Sequence, residues 1–236
     1  IVPVRTGAGD NAVVWRAIFG NGYNSASGKA VLFMVDINTG TPTVTMLEAT
    51  EAGAPSGSNG LGNLVALDRY RLDADNNLTR SGRDGMADTV YAADQKGAIW
   101  KFDLRPAALV PGGVVANPTT PVFTTLQYTS GPENGTRQPI LGGLTAAAGR
   151  NGGVMLYFGT GSFSFEGDPS DSTLQSLYGV LDLSSGQPST TLTRSNLTTQ
   201  SITETDSGVR TTTSNVSVVG RMGWHLDLPT RERFVG

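Results

Sequence analysis

Short apolar stretches separated by small polar turns run along the whole chain, and three segments share one arrangement. In each segment an apolar stretch ends in a turn, a second apolar stretch follows, and that stretch ends in an aspartate. The segments cover 17–40, 89–106 and 155–186, and their aspartates are Asp36, Asp103 and Asp182. Apolar stretches bounded by glycine and small polar residues are typical of β-hairpins. The pattern therefore predicts a repeated antiparallel hairpin.

The connection inside the second segment is short. Only the residues from Asp94 to Gly97 separate its two apolar stretches. A connection this tight needs a residue with a positive φ angle, and glycine adopts that conformation without a steric penalty. We therefore expect a positive φ angle at Gly97.

The spacing of the three segments indicates the fold class. They begin at residues 17, 89 and 155, which leaves room between them for further strands. Repeated antiparallel units are typical of β-propellers with four-stranded blades, and at about 40 to 50 residues per blade this chain would hold about five blades. We expect an all-β fold, with one propeller domain of quinoprotein-like blades over residues 1–236. Because strand-like sequence reaches both ends, we expect an incomplete segment of a larger ring.

Composition narrows the classes of function. The chain has 31 glycines and 12 prolines, which indicates many turns and few long helices. Its net charge is −3 and its 17 lysines and arginines are scattered, so we expect no binding of nucleic acid. No apolar run approaches the ~18 residues of a membrane span. The chain has no cysteine, which excludes disulfides and thiolate metal sites within it.

Four aspartates lie close together in the sequence just before the second hairpin: Asp73, Asp75, Asp84 and Asp88. Carboxylates this close repel one another unless a cation lies between them. Calcium prefers about six to eight oxygen ligands, which alternating aspartate and asparagine side chains in a tight loop supply. The pattern favours a Ca²⁺ site at about residues 73–88, with ordinary turn and capping aspartates as the alternative.

Four stretches of the sequence together resemble the C-terminal β-propeller domain of the type IV pilus tip proteins of the PilY1/PilC family. They are VVWRAIFGNGYNS, DGMADTVYAADQKGAIWKFDL, LYFGTGSF followed by LQSLYGVLDL, and GWHLDLPTRERFVG. The stretches occur in the family's order and span nearly the whole chain. The resemblance implies a large protein that is secreted to the bacterial cell surface, at the pilus tip or outer membrane.

The resemblance also implies a function and partners. Proteins of this family support pilus assembly, oppose retraction, and take part in adhesion and twitching motility. The implied partners are other pilus components, such as minor pilins and the pilus tip. A host or surface receptor would be bound through an N-terminal region outside this chain.

Some members of the family bind calcium in a loop of the form D-x-D-x-D-G-x-x-D, and DGMAD is similar to the second half of that loop. By this resemblance Asp84 and Asp88 are ligands. Gly85 makes the sharp turn, and Met86 offers its main-chain carbonyl.

The first half of the loop departs from the family pattern. Asp73 and Asp75 fit its first two aspartates, but the eight residues 76–83 separate Asp75 from Asp84 where the pattern has one. A second register places ligands at alternate positions of an EF-hand-like loop that ends at Asp84. Its earlier positions are Asp73, Asp75, Asn77, Thr79 and Ser81. Both registers remain open at this point.

A quinone-dependent dehydrogenase propeller is the alternative function. Its tryptophan-docking repeats have the pattern A-x-D-x-x-x-G-x-x-x-W, and AADQKGAIW is one residue short on each side of its glycine. His225 is the only histidine, and no G-x-S-x-G motif accompanies it, so hydrolase chemistry has no support. We therefore expect a binding domain that is not an enzyme.

Overall fold

The computed structural model describes residues 1–235 except 10, 38–39, 81, 111–115, 126–136, 206 and 216–218. The first strands are β1 (Val2–Arg5), β2 (Val13–Gly20), β3 (Ala30–Asp36), β4 (Val44–Ala49), β5 (Leu61–Leu67), β6 (Arg71–Leu72), β7 (Leu78–Thr79), β8 (Thr89–Asp94) and β9 (Ala98–Asp103). The remaining strands are β10 (Phe123–Thr124), β11 (Leu144–Ala148), β12 (Val154–Gly159), β13 (Ser176–Asp182), β14 (Thr198–Gln200), β15 (Ile202–Glu204), β16 (Arg210–Thr212) and β17 (Gly223–Asp227).

Helix is confined to three short 3₁₀ segments among the described residues, Arg150–Gly152, Asp168–Ser170 and Arg194–Asn196. None of them has the length or the hydropathy that a membrane-crossing helix needs. The described part of the chain is therefore built almost entirely from strands and loops, as the abundance of glycine and proline predicts.

The first sheet is an antiparallel meander of β1 to β4 in chain order. Leu32 of β3 lies opposite Leu47 of β4, and Met34 points to the same side of the sheet. All three side chains are buried, because side chains alternate between the faces of a strand and this face lies against the core. The pairing of β2 with β3 confirms the first predicted hairpin.

The opposite face of the first sheet is apolar and exposed. Phe19 of β2 stacks on Phe33 of β3 at 5.5 Å between ring centroids, and Met46 of β4 lies opposite Phe33. Phe19 and Met46 are both exposed. Sheets with an apolar face normally bury it against another layer. An uncovered face of this kind is what an incomplete propeller is expected to have.

The second sheet has the order β10-β9-β8-β5 and lies between the other two large sheets. Every residue of β8 and β9 is buried. Trp100 and Phe102 belong to the core shared with the first sheet. Tyr91 and Ile99 belong to the core shared with the third sheet. The second sheet is thus covered on both faces.

The third sheet has the order β11-β12-β13-β17-β14. Its β12–β13 pair is the third predicted hairpin, and β17 returns from the end of the chain to pair with β13. The short β14 runs parallel to β17. Two separate ribbons, β6–β7 and β15–β16, project from the sheets as antiparallel pairs.

The all-β propeller fold is confirmed, but the expected number of blades is too high. The described residues form three sheets of four or five strands and two ribbons of two strands. The two ribbons and the long connections contain residues that the predicted further blades would have needed. The three sheets do not close into a ring, which is consistent with an incomplete propeller.

Gly97 has a φ angle of +78°, which confirms the prediction for the β8–β9 turn. The position is also closely packed. A Cβ atom at Gly97 would lie 2.2 Å from the Thr125 hydroxyl oxygen and 2.3 Å from the Gln138 carbonyl oxygen. Gly208, in the β15–β16 ribbon, has nearly the same φ angle of +76°, but a Cβ atom there would meet no described atom within 4 Å.

We predict that Gly97→Ala lowers the free energy of unfolding far more than Gly208→Ala. Both substitutions force alanine into the left-handed region, at about 1 kcal/mol each. Gly97→Ala adds steric overlap, which costs a further ~1–3 kcal/mol. Urea unfolding of the two variants measures the difference. Equal losses would show that packing at the β8–β9 turn has no part in stability.

Candidate functional site

The acidic segment begins at Asp68, after β5, and ends at Asp88, before β8. Asp88 is buried, and one of its carboxylate oxygens accepts hydrogen bonds from the main-chain N–H groups of Arg69 (2.7 Å) and Tyr70 (2.8 Å). The other oxygen accepts a bond from the Thr89 hydroxyl (2.7 Å). Burial raises the pKa of Asp88 to about 6, although these three hydrogen bonds act in the opposite direction. Asp88 therefore joins the end of the acidic segment to its beginning, at Arg69 and Tyr70.

Asp84 binds different donors from Asp88, and one of them is Arg5 of the first sheet. Its Oδ2 accepts two bonds from the guanidinium of Arg5, at 2.8 Å from Nη2 and 3.3 Å from Nε. Its Oδ1 accepts a bond from the main-chain N–H of Met86 (3.1 Å). The ion pair joins β1 to a loop 79 residues later in the chain.

Asp68 is a member of this cluster that the sequence analysis did not select. Its carboxylate accepts bonds from the main-chain N–H groups of Gly85 (2.7 Å) and Asp84 (3.4 Å). Gly85 has a φ angle of +84°, as the sharp turn requires. Asp68 lies outside the acidic spacing pattern, so only its position at the end of a predicted strand could have drawn attention to it.

Asp73 and Asp75 lie apart from that cluster, in the turn of the β6–β7 ribbon. Oδ1 of Asp73 accepts bonds from the main-chain N–H groups of Asp75 (3.0 Å) and Asn77 (2.8 Å). Between them Asn76 has a φ angle of +60°. This is an Asx turn, in which an aspartate side chain organises a tight turn of its own backbone.

The arrangement of these residues does not fit the calcium site that the sequence predicts. Among the described residues, no three acidic or histidine side chains come close enough together to hold a metal ion. The Asp84 carboxylate is engaged by Arg5, and Asp73 by its own turn. Ser81, a member of the EF-hand-like register, lies outside the described residues. The calcium site stays a prediction.

Tyr70 is the centre of a group of arginines beside the loop. The guanidinium of Arg105 lies 4.4 Å from the centre of its ring, and those of Arg80 and Arg69 lie at 5.7 and 5.9 Å. Guanidinium groups at such distances are attracted to the ring face. The Tyr70 hydroxyl donates a hydrogen bond to the Ser185 carbonyl (2.6 Å), which ties the segment between β5 and β6 to the chain that follows β13.

The aspartates that close the three predicted hairpins all bind a basic side chain. Asp36 pairs with Arg16 (2.7 Å) and Asp103 with Arg105 (2.6 Å). Asp182 pairs with Lys101 of β9 (2.9 Å), and both side chains are almost completely buried. Their charge pairing could not be read from the hairpin pattern.

Lys101 and Asp182 form the most deeply buried ion pair among the described residues. The pair bridges β9 of the second sheet and β13 of the third sheet. The Tyr91 hydroxyl donates to Asp182 (2.6 Å), and the Lys101 ammonium also donates to the Ser184 carbonyl (2.8 Å). Burial lowers the pKa of Lys101 to about 8, although the Asp182 carboxylate opposes the shift.

Asp94 holds the β8–β9 hairpin together from within. Its carboxylate accepts bonds from the Trp100 indole N–H (2.8 Å), the Ala98 main-chain N–H (2.9 Å) and the Asn59 amide (3.0 Å). Burial raises the pKa of Asp94, and the three donors act against that rise. The residues that resemble a tryptophan-docking repeat therefore stabilise their own hairpin.

His225 is buried on β17, with its ring 6.2 Å from that of Tyr178. Its Nδ1 atom has no hydrogen-bond partner among the described residues. The neighbouring Asp227 binds Arg194 and the Ser176 hydroxyl. Burial first, and the charge of Arg194 second, lower the pKa of His225 to about 4. This environment disfavours the protonated imidazole and supports a packing role.

We predict that His225 makes the fold sensitive to acid. The unfolded chain takes up a proton near pH 6.5 and the folded chain near pH 4, so stability is lost as the pH falls through this window, by up to about 3 kcal/mol. His225→Gln removes the titrating group and should flatten that part of the curve. Urea unfolding of both proteins at pH 7.5, 6, 5 and 4 is the measurement. Parallel curves would contradict the assignment.

Comparison with known proteins agrees with this architecture. A family model described as the PilY1 beta-propeller domain matches residues 4–215. A type IV pilus biogenesis factor PilY1 homolog of Xylella fastidiosa is 36% identical over 245 residues, which cover 97% of this chain and 15% of the relative. The type IV pilus biogenesis factor PilY1 of Pseudomonas aeruginosa is 30% identical over 244 residues, covering 90% of this chain and 19% of the relative.

A solved structure supports the same assignment. The chain is similar to the crystal structure of the Pseudomonas aeruginosa PilY1 C-terminal domain, with a TM-score of 0.63 and 26% sequence identity. The match covers 95% of this chain and 49% of the solved chain. This chain thus spans about half of that domain and under a fifth of the two relatives above. With a family model that matches most of its length, the chain belongs to the PilY1 β-propeller domain family.

Proposed function

We propose that this chain is a propeller segment of a type IV pilus biogenesis protein that acts at the bacterial cell surface. In this proposal the protein supports pilus assembly, opposes pilus retraction, and contributes to adhesion and twitching motility. The observation that carries it is the match over 97% of the chain to a relative named as a type IV pilus biogenesis factor. The alternative, a quinone-dependent dehydrogenase, has no support among the relatives described above.

The physical properties of the fold suit a part that transmits force. Two ion pairs link the large sheets. Arg5 of the first sheet pairs with Asp84 in the loop before β8, and Lys101 of the second sheet pairs with Asp182 of the third. Long-range contacts of this kind must break before the sheets can separate. A protein that opposes retraction of a filament is under tension, and a scaffold with linked sheets resists it. The proposed partners are other pilus components, and adhesion would involve regions outside this chain.

The test of this function is a genetic replacement in a bacterium that carries the protein. We expect that deletion of residues 1–236 reduces surface pili and twitching, and that the intact sequence restores both. Gly97→Ala should restore them poorly and Gly208→Ala well, because the two substitutions differ mainly in their effect on packing. Electron microscopy of surface pili and the width of twitching zones are the measurements.

A second strain separates assembly from retraction. If the protein opposes retraction, a deletion strain that also lacks the retraction motor should regain much of its surface pili. If the protein supports assembly alone, that strain should stay poorly piliated. Normal piliation and twitching in the first deletion strain would overturn the proposed function.

A further inference from the structure

We propose that the guanidinium of Arg5 takes the place of a bound cation in this protein, so that the loop 84–88 is held closed without calcium. The family pattern D-x-D-x-D-G-x-x-D has five fixed positions. When its last aspartate is aligned with Asp88, its third aspartate and its glycine fall on Asp84 and Gly85. Its first two aspartates then fall on Arg80 and Gly82. Neither residue offers a side-chain oxygen, so the loop lacks two of the ligands that calcium needs.

Arg5 meets the electrostatic need that the ion would otherwise meet. Its guanidinium binds Asp84 through two N–H groups, and both side chains are mostly buried, with 12% and 17% exposed. A charge-assisted bond in such surroundings is shorter and stronger than a neutral one. Arg5 lies in β1, so its bond to Asp84 attaches the loop to the first sheet. A metal ion bound by both the loop and that sheet would have the same effect.

The other two carboxylates of this cluster, those of Asp88 and Asp68, accept hydrogen bonds from N–H and O–H donors of the protein. Asp88 accepts three hydrogen bonds at its buried position, from Arg69, Tyr70 and Thr89. Asp68 accepts the N–H groups of the turn at Gly85. A metal ion at this loop would have to displace donors that already compensate the cost of burying the carboxylates.

Arg80 opposes a cation at the first position of the pattern. Its side chain donates to the Tyr70 hydroxyl (3.2 Å) and to the Ser184 carbonyl (3.1 Å), beside the loop. A second positive charge there would be repelled by the guanidinium. The same residue therefore removes a ligand and adds a barrier to an ion, while its hydrogen bonds tie the loop's flank to the end of β13.

The first test is calcium titration of the wild-type protein. We expect isothermal titration to detect no uptake at up to millimolar calcium, and the melting temperature to be the same with calcium, magnesium or a chelator. An ion bound at a hundredfold excess over its dissociation constant would raise the melting temperature by roughly 5 °C or more. A one-to-one uptake of calcium, or a shift of that size with calcium alone, would overturn the proposal.

The second test restores the missing ligands. The triple substitution Arg5→Ala, Arg80→Asp and Gly82→Asp removes the guanidinium and completes the family pattern. We expect this variant to melt below the wild type in chelator and to regain several degrees with calcium but not with magnesium. The three atoms nearest to a Cβ atom at Gly82 belong to the far end of the flexible Arg71 side chain, which can move aside. A variant that folds but does not respond to calcium would show that this loop is not the place of a cation.

A matched control separates the loop from a general loss of an ion pair. Arg16 pairs with Asp36 in the same sheet, with 14% of each side chain exposed, close to the values for Arg5 and Asp84. Arg5→Ala and Arg16→Ala should both lower the melting temperature. Arg5→Ala should in addition make the loop 84–88 exchange its amide hydrogens faster, whereas Arg16→Ala should leave that loop unchanged. Equal exchange in the two variants would contradict the role assigned to Arg5.

Discussion

The second sheet is buried on both faces, and each polar group in its two central strands therefore needs a partner inside the protein. All residues of β8 and β9 are buried, and three of them have ionisable acidic or basic side chains: Asp94, Lys101 and Asp103. Asp94 binds two donors of β9 and the Asn59 amide, Asp103 binds Arg105, and Lys101 binds Asp182 in the third sheet. An unpaired charge at these depths would cost several kcal/mol, so the pairs fix how the sheets meet.

The acidic loop follows from the same constraint. Asp88 is buried just before β8 and has to be satisfied there, which draws the main-chain N–H groups of Arg69 and Tyr70 onto it. That contact sets the path of the loop, and Asp84 at its outer edge then meets Arg5 of the first sheet. The burial of Asp88 thus sets the path of the loop, and that path sets the contact of Asp84 with the first sheet. Together with the Lys101–Asp182 pair, these contacts join three sheets into one scaffold.

Much of the fold could be predicted from the sequence. The hairpins at β2–β3, β8–β9 and β12–β13 consist of short apolar stretches joined by connections that contain glycine, which are local signals. The number of blades could not be predicted, because the two ribbons and the long connections have strand-like composition without adding to a large sheet. The parallel pairing of β14 with β17 depends on residues far apart in the chain and leaves no local pattern.

The site was harder to predict than the fold. The spacing of the acidic residues selected Asp84 and Asp88 as candidate site residues, and both lie in the loop 84–88. The same spacing joined them to Asp73 and Asp75, which the β6–β7 ribbon carries away into a turn of its own. Arg5 and Asp68 were not selected, because one lies 79 residues before its partner and the other outside the acidic pattern.

If buried charge pairs hold the sheets together, Lys101 and Asp182 should be strongly coupled in a double-mutant cycle. Lys101→Met, Asp182→Asn and the double variant should be unfolded in urea beside the wild type. We expect each single substitution to lower the free energy of unfolding by about 3 to 5 kcal/mol and the double variant to lose much less than the sum, because neither partner is then left as a buried unpaired charge. Losses that simply add would contradict it.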